Sequence, residues 1–392
     1  MPEAKERLPG TEVFEWMDEW GPEKIFIVHD TRTGMKGMLI IDNTARGIGK
    51  GGCRMQADVT LWDTFRLART MTWKYAFADF ALGGAKSSIR NDPNSPNKEA
   101  IIRAFIKKIR KMLPDEYVFG NDMGFAENEE GIVLDECDND LRCAVGTSAE
   151  LGGLPYDEMG VTGYGVAECV EIGAKHVGLD LKKASISIQG LGAVGSFAAK
   201  FLSEKGAEKI VAMSSVAGAI YDPNGLDIEK LLKLKEKFGD NAVKEYKGGK
   251  VLPLGEELKL DVDILVPAAR GDVVTKANVD AVKAKFIVEG ANFPITPECR
   301  QILHNRGVLI IPDFVANSGA VIAAGMSMFY RYSVDRLDPA AVYATVKKKM
   351  NSNVPLVLKE ATKTKKQPID VALDITKARV RKAMELKRRI PK

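Results

Sequence analysis

The chain has 392 residues, enough for two or three domains, and its 45% hydrophobic content is ample for real cores. A balance of 57 basic against 53 acidic residues leaves a net charge of +4, too mild over this length to imply a nucleic-acid partner. No apolar run approaches the roughly 18 residues of a membrane span. The opening MPEAKERLPG carries no apolar h-region, so the expected setting is cytosolic. Five cysteines (Cys53, Cys137, Cys143, Cys169, Cys299) are odd in number and include no CxxC pair, which argues against a disulfide framework and against a zinc site. His29, His176 and His304 lie far apart and form no ligand or triad pattern, so any chemistry must rest on lysines and carboxylates.

In chain order, KIFIVHD (Lys24 to Asp30) and MKGMLIID (Met35 to Asp42) read as strands. Three lysines follow in glycine-rich or apolar settings: Lys50 in GKGGCRM, Lys74 in MTWKYAFADF and Lys86 in FALGGAKSSIR. The last resembles a phosphate loop only superficially. That loop needs a glycine six residues before the lysine and another directly before it, and here those places hold Phe80 and Ala85. Taken singly, each lysine reads as a solvated side chain, because lysine is rarely buried without a reason. In NKEAIIRAFIKKIRKML the apolar residues Ile101, Ile102, Phe105, Ile106, Ile109 and Met112 recur at helical spacing opposite a basic face. GNDMGF then presents Asp122 in a turn-like stretch. The acidic ENEEGIVLDECDND that follows lacks a calcium-loop pattern and reads as a solvated helix surface, so no metal is expected.

From about residue 184 the texture changes. SISIQ, KIVAM, VDILVPAA, KFIVEGA and VLIIPD alternate with loops and helical stretches, as in a parallel α/β domain. In SISIQGLGAVGSFAAKFLSEKG the glycines Gly190, Gly192 and Gly195 have G-x-G-x-x-G spacing between a strand and a helix. This is the context in which such a turn holds a dinucleotide: Gly190 for the turn, Gly192 for approach of the pyrophosphate, Gly195 for close packing. At the end of the next strand, where an acidic residue would hold the ribose of NAD, stand Ser214 and Ser215. Two hydroxyls without a carboxylate suit the 2′-phosphate of NADP, so NADP is the preferred cofactor and NAD a possible one, with Lys209 or Arg270 as the cation. The basic C-terminus, seven basic residues against one acidic from Arg379 to Lys392, reads as a solvated helix face.

Together these stretches resemble the glutamate/leucine/phenylalanine/valine dehydrogenase family. The lysine steps of 24 and 12 residues suit its glutamate branch, and GVTGYGV around Thr162, VPAA from Val266, EGAN ending at Asn292 and NSGAV from Asn317 follow in order. The resemblance implies an α/β protein in three parts. Residues 1–154 would form an α/β substrate-binding and oligomerisation domain, 155–325 a Rossmann-like dinucleotide-binding domain, and 326–392 helices returning to the first. It also implies reversible oxidative deamination of an amino acid to a 2-oxo acid and ammonia by a homo-oligomer, a hexamer in the family.

By the same resemblance, Lys86 is the catalytic lysine, Asp122 the proton shuttle and Lys74 the partner of the α-carboxylate. Lys50 would take the distal carboxylate of glutamate. Asn317 is implied at the substrate, and Ala324 stands where the glutamate branch carries a serine. Thr162, Ala193, Val194, Ala268, Ala269 and Asn292 are implied at the cofactor beside the glycine turn. Physical chemistry supports the roles, since a buried lysine next to a cation, here expected to be Lys74, can accept a proton near neutral pH. The frame Ala85-Lys86-Ser87-Ser88 departs from the family's longer glycine run. A leucine- or valine-type substrate, and a non-catalytic dinucleotide-binding homologue, remain the alternatives.

Overall fold

A computed structural model describes residues 12–330, 333 and 337–390. The chain divides into two compact units: residues 1–155, 327–336 and 378–392 in the first, and 156–326 and 337–377 in the second.

The first unit is built on a six-stranded mixed sheet. Its strands are β1 (Lys24–Asp30), β2 (Met35–Asn43), β3 (Gly49–Lys50), β4 (Cys53–Met55), β5 (Gly83–Ile89) and β6 (Tyr117–Val118), in the order β1-β2-β5-β3-β6 with β4 also paired to β5. β1, β2 and β5 are antiparallel neighbours, while β3 and β4 run parallel to β5. The two runs read as strands in the sequence are β1 and β2.

One sheet face buries Leu39, Ile41, Ala85 and Ile89 against the helix Lys98–Ile109, whose Ile101, Ile102, Phe105, Ile106 and Ile109 are all buried as their spacing predicts. The helix Leu61–Phe77, started by a Thr60/Asp63 capping box, packs by Phe65 and Ala68 on Ile40. Its closest approach is to β5, where a Cβ on Gly84 would lie 2.2 Å from the backbone nitrogen of Thr72. Gly84 therefore serves helix-to-strand packing, while Gly83 lets β5 approach the carbonyls of Asn43 and Gly47. Lys86 stands in the middle of β5.

The second unit carries a seven-stranded sheet of β7 (Ile186–Gln189), β8 (Ile210–Ser215), β9 (Gly218–Tyr221), β10 (Lys250–Leu252), β11 (Ile264–Pro267), β12 (Phe286–Val288) and β13 (Leu309–Ile311), in the order β10-β9-β8-β7-β11-β12-β13. β8, β7, β11, β12 and β13 are parallel, as the alternation in the sequence predicts. β9 and β10 are antiparallel additions at one edge. Strand order reverses at β7, so the crevice between the C-terminal ends of β7 and β11 is the topological switch point, where ligands bind in open α/β sheets.

The C-terminal region departs from expectation. Only residues 327–336 and 378–392 belong with the first unit, whereas 337–377, including the whole of the long helix Pro339–Thr364, belong with the second. Val342, Val346, Met350, Val354, Val357 and Leu358 form a buried stripe on that helix, and Tyr343 donates a 2.7 Å hydrogen bond to the carbonyl of Met159. The basic tail is not simply solvated either. Arg379 donates to the carbonyls of Ala76 and Phe77, and Arg389 donates to Glu23 and Thr44, all within the first unit. No helix among the described residues is long and apolar enough to cross a membrane, and none of their His, Cys, Asp and Glu side chains cluster as a metal site.

Candidate functional site

In the first unit the lysines singled out in the sequence are all buried: Lys50 at 2% exposure, Lys74 at 7% and Lys86 at 3%. Lys86 forms a salt bridge to Asp122. The other oxygen of that carboxylate accepts from Nε of Arg54 at 2.9 Å. One carboxylate is thus held between two cations.

Local backbone geometry explains how Asp122 reaches them. Residues 122–125 form a turn closed by Asp122 N to Phe125 O at 2.9 Å, with Gly124 at φ +74°, a conformation glycine adopts without strain. The segment is zipped to β4 through Cys53 N to Gly120 O at 2.8 Å and Met55 N to Met123 O at 2.9 Å. A Cβ on Gly52 would fall 2.3 Å from Asn121 O, and one on Gly51 only 1.7 Å from Ala85 O. The glycine pair in GKGGCRM therefore lets β4 and the Asp122 turn close around Lys86.

Ser87 and Ser88, which replace the family's longer glycine run, stitch β5 in place. Ser87 pairs with the Tyr117 hydroxyl at 2.8 Å, and Ser88 accepts from Thr64 at 2.9 Å. Lys50 donates a 2.6 Å hydrogen bond to the carbonyl of Phe119.

Burial pushes Lys86 below the usual lysine range and Arg54 adds to this, while Asp122 opposes it. For Asp122 burial favours the neutral acid, but Lys86 and Arg54 outweigh it and hold the carboxyl well below the ordinary range. The cation acting on Lys86 is thus Arg54, not Lys74 as the sequence suggested. Arg54 was missed, although its position four residues after Lys50 on a short glycine-flanked strand, in a chain that also buries Asp122, was the available signal.

The second unit gathers most of the remaining residues at the switch point. Gly190, at φ +107°, turns the chain off β7, and a Cβ there would lie 3.1 Å from Ala268 and Ala269. Ala268 N donates to Gln189 O at 2.8 Å, joining the turn to the end of β11. A Cβ on Gly195 would sit 1.9 Å from Gly190 O, so the helix Ala193–Glu204, which includes Val194, can pack that closely only on a glycine. Thr162 opens a helix whose Gly163 packs directly against Val194 O and Ala198 N. Asn317 donates to Gly290 O at 3.3 Å and to Asn292 Oδ1 at 3.1 Å. The loop carrying Asn292 is braced by the buried pair Glu289–Arg300 at 2.7 Å. Burial raises Glu289 to about 7 against the pull of Arg300. Ala324 is buried in the helix Gly319–Tyr330 and presents no polar group.

These residues fit a dinucleotide. Nothing lies within 4 Å of a Cβ built on Gly192, the residue before the helix, and no side chain caps that helix. Its first N–H groups are therefore available to a pyrophosphate. Gln189 Oε1 and Asn317 Oδ1 are buried acceptors with no hydrogen-bond donor among the described residues.

The expectation for the two serines is corrected. Ser214 accepts from Gly190 N at 3.1 Å and donates to the buried Glu257 at 3.0 Å, so its hydroxyl fixes the glycine turn. Ser215 donates to Asp240 O at 2.6 Å. Neither hydroxyl proton is left for a phosphate.

Sequence comparison matches residues 152–388 to the description Glutamate/Leucine/Phenylalanine/Valine dehydrogenase, and residues 22–139 to the Glu/Leu/Phe/Val dehydrogenase dimerisation domain. The chain is 38% identical over 294 residues to the glutamate dehydrogenase of Thermotoga maritima, covering 73% of this chain and 70% of that one. It is 40% identical over 289 residues to the glutamate dehydrogenase of Aeropyrum pernix, covering 71% and 68%. Among solved structures it resembles the hetero-hexameric glutamate dehydrogenase of Thermus thermophilus in a leucine-bound form, with a TM-score of 0.83, 27% identity, and coverage of 93% and 90%.

The two glycines of the turn should separate under mutation. Gly195→Ala is expected to lower the denaturant midpoint, by roughly 1–3 kcal/mol of overpacking, whereas Gly192→Ala leaves that midpoint unchanged and weakens dinucleotide binding measured by calorimetry. Equal loss of stability in both variants would contradict the open cradle at Gly192.

Proposed function

The chain belongs to the glutamate/leucine/phenylalanine/valine dehydrogenase family, and on that premise we propose that it interconverts L-glutamate, water and oxidised nicotinamide dinucleotide with 2-oxoglutarate, ammonia and the reduced dinucleotide. The observation that carries this reading is the Lys86–Asp122–Arg54 group, with Lys86 buried and its two partners part-buried, in a unit that also buries Lys50 and Lys74. Lys50 and Lys74 bring further positive charge to that unit, suited to an anionic substrate whether Lys86 is charged or neutral.

When bound, the dinucleotide supplies the hydride acceptor for the substrate Cα. Lys86, lowered by burial and by Arg54, takes the proton from the water that adds to the resulting iminium carbon. Asp122, kept ionised by its two cations, carries protons to and from the amino nitrogen as the carbinolamine collapses. Lys74 binds the α-carboxylate and Lys50 the distal one, because a buried ammonium is stabilised by an anionic partner and gains nothing from an aliphatic side chain. Asn317, whose buried amide oxygen has no hydrogen-bond donor among the described residues, contributes to substrate binding.

The apolar Ala324 favours the second reading, a leucine- or valine-type substrate. A non-catalytic homologue is disfavoured by the assembled Lys86–Asp122 pair. NADP is accepted and preferred, since Ser214 and Ser215 at the end of β8, and the 79% exposed Val216 that follows them, carry no carboxylate of their own to repel a 2′-phosphate.

The test is kcat/KM for glutamate, leucine and valine with each of NAD and NADP, on the wild type and on Lys86→Ala. Glutamate with NADP should lead. The variant should lose roughly 10²- to 10⁴-fold in turnover while binding the dinucleotide unchanged. Leucine or valine ahead of glutamate would install the second reading, and turnover within a few-fold of wild type would remove Lys86 from the chemistry.

Arg54→Met removes a cation that lowers Lys86, so the limb of the kcat/KM profile that requires neutral Lys86 should move to higher pH. Arg54→Lys should bring it back. A uniform loss of rate with an unmoved limb would reduce Arg54 to packing.

The protein also reads as a homo-oligomer, a hexamer by analogy. The first unit matches a dimerisation domain and leaves β1 as an edge strand with Ile27 70% exposed. Light scattering should give a mass several times that of one chain, and Ile27→Lys should lower it; a monomeric wild type refutes this.

A further inference from the structure

The engaged hydroxyls of Ser214 and Ser215 leave open what would hold a 2′-phosphate at the end of β8, and strand topology sorts the cations. Lys209 precedes β8, and its carbonyl accepts from Ile186 at the start of β7. It therefore lies at the N-terminal edge of the parallel strands, a strand length of about 20 Å from Ser215. Arg270 follows β11, on the far side of β7 from β8. Neither cation expected from sequence stands beside the ribose position.

Lys235 does. It belongs to the helix Ile228–Phe238, and its ammonium donates to Ser196 Oγ at 2.8 Å. Ser196, buried in the first turn of the helix Ala193–Glu204, donates in turn to Leu191 O at 2.9 Å, and Leu191 lies between Gly190 and Gly192. On the other side, the chain leaving the Lys235 helix passes Asp240, whose carbonyl holds Ser215. The ammonium thus meets the helix of the pyrophosphate turn, and the chain that follows its own helix meets the end of β8.

Its electrostatics are those of a cation lacking its counter-ion. Among the described residues no carboxylate comes within ion-pairing distance of Lys235. Lys235 stands in the last turn of its own helix, but its ammonium is carried to the first turn of the helix Ala193–Glu204, where the backbone dipole disfavours positive charge. Burial lowers its pKa, and the more distant Asp240 only partly opposes this. Lys233 on the same helix is paired with Glu229.

Resting on the NADP reading above, we infer that Lys235 is the specificity-determining cation of this chain, pairing with the 2′-phosphate of the adenosine ribose in a site completed by Ser196 and the end of β8. An incoming 2′-phosphate would supply the counter-ion that Lys235 lacks, while the helix end itself is left to the pyrophosphate.

Binding without turnover tests this. The dissociation constants of 2′-phospho-ADP-ribose and of ADP-ribose are measured by calorimetry on wild type, Lys235→Gln and Lys235→Arg. Lys235→Gln should weaken the phosphorylated probe by about tenfold or more, leave ADP-ribose within twofold, and flatten the salt dependence of the former; Lys235→Arg should retain most of the affinity. Equal weakening of both probes would make Lys235 a structural residue and overturn the inference. A wild-type preference for the phosphorylated probe that survives Lys235→Gln would also overturn it while leaving the NADP reading intact. A wild type with no such preference overturns both. Because no amino acid is present, failure of the deamination reading would leave this result standing.

Discussion

A carboxylate buried at 12% side-chain exposure is tolerable only if its charge is matched, and Asp122 is matched twice, by Lys86 and by Arg54. That arrangement sets requirements on the surrounding chain. Three segments distant in sequence, β4, β5 and the turn 122–125, must come within side-chain reach of one another, and the absence of Cβ atoms at Gly51, Gly52 and Gly124 permits it. The serines after Lys86 then hold β5 to Tyr117 on one side and to Thr64 on the other. The reactive lysine gains a fixed position on a strand rather than the freedom of a loop, which suits a group that must meet a water molecule in one geometry.

The second unit obeys a related constraint with backbone in place of charge. Its glycine turn is pinned from below by Ser214, which is itself anchored on the buried Glu257. The same turn contacts Ala268 and Ala269, and the loop with Asn292 is braced by Glu289, Arg300 and Asp313. The crevice is therefore lined mainly by main-chain groups and small residues supported by buried ion pairs. Such a lining binds phosphate through N–H groups and leaves discrimination between cofactors to the few side chains at the rim.

Much of this was legible in the sequence because it depends on local pattern. The helix over Ile101 to Ile109, the strands β1, β2, β7, β8, β11, β12 and β13, and the glycine turn all follow from periodicity or from residues required at fixed offsets. Less legible was the allocation of the C-terminal helices. The stripe Val342, Val346, Met350 and Val354 announces a buried face but not which unit covers it.

What the sequence determined by itself is the class of chemistry: a strand–glycine–helix unit that can hold a dinucleotide, and lysines placed among apolar residues where burial must alter their basicity. These are properties of neighbours along the chain. Tertiary structure decided which charges meet. It put Arg54 beside the Lys86–Asp122 pair where the sequence suggested Lys74, turned Ser214 and Ser215 inward, and brought Lys235 to Ser196 on the helix of the glycine turn. Electrostatic interaction depends on distance through space and on local burial, and neither is set by spacing in sequence once the chain has crossed a sheet.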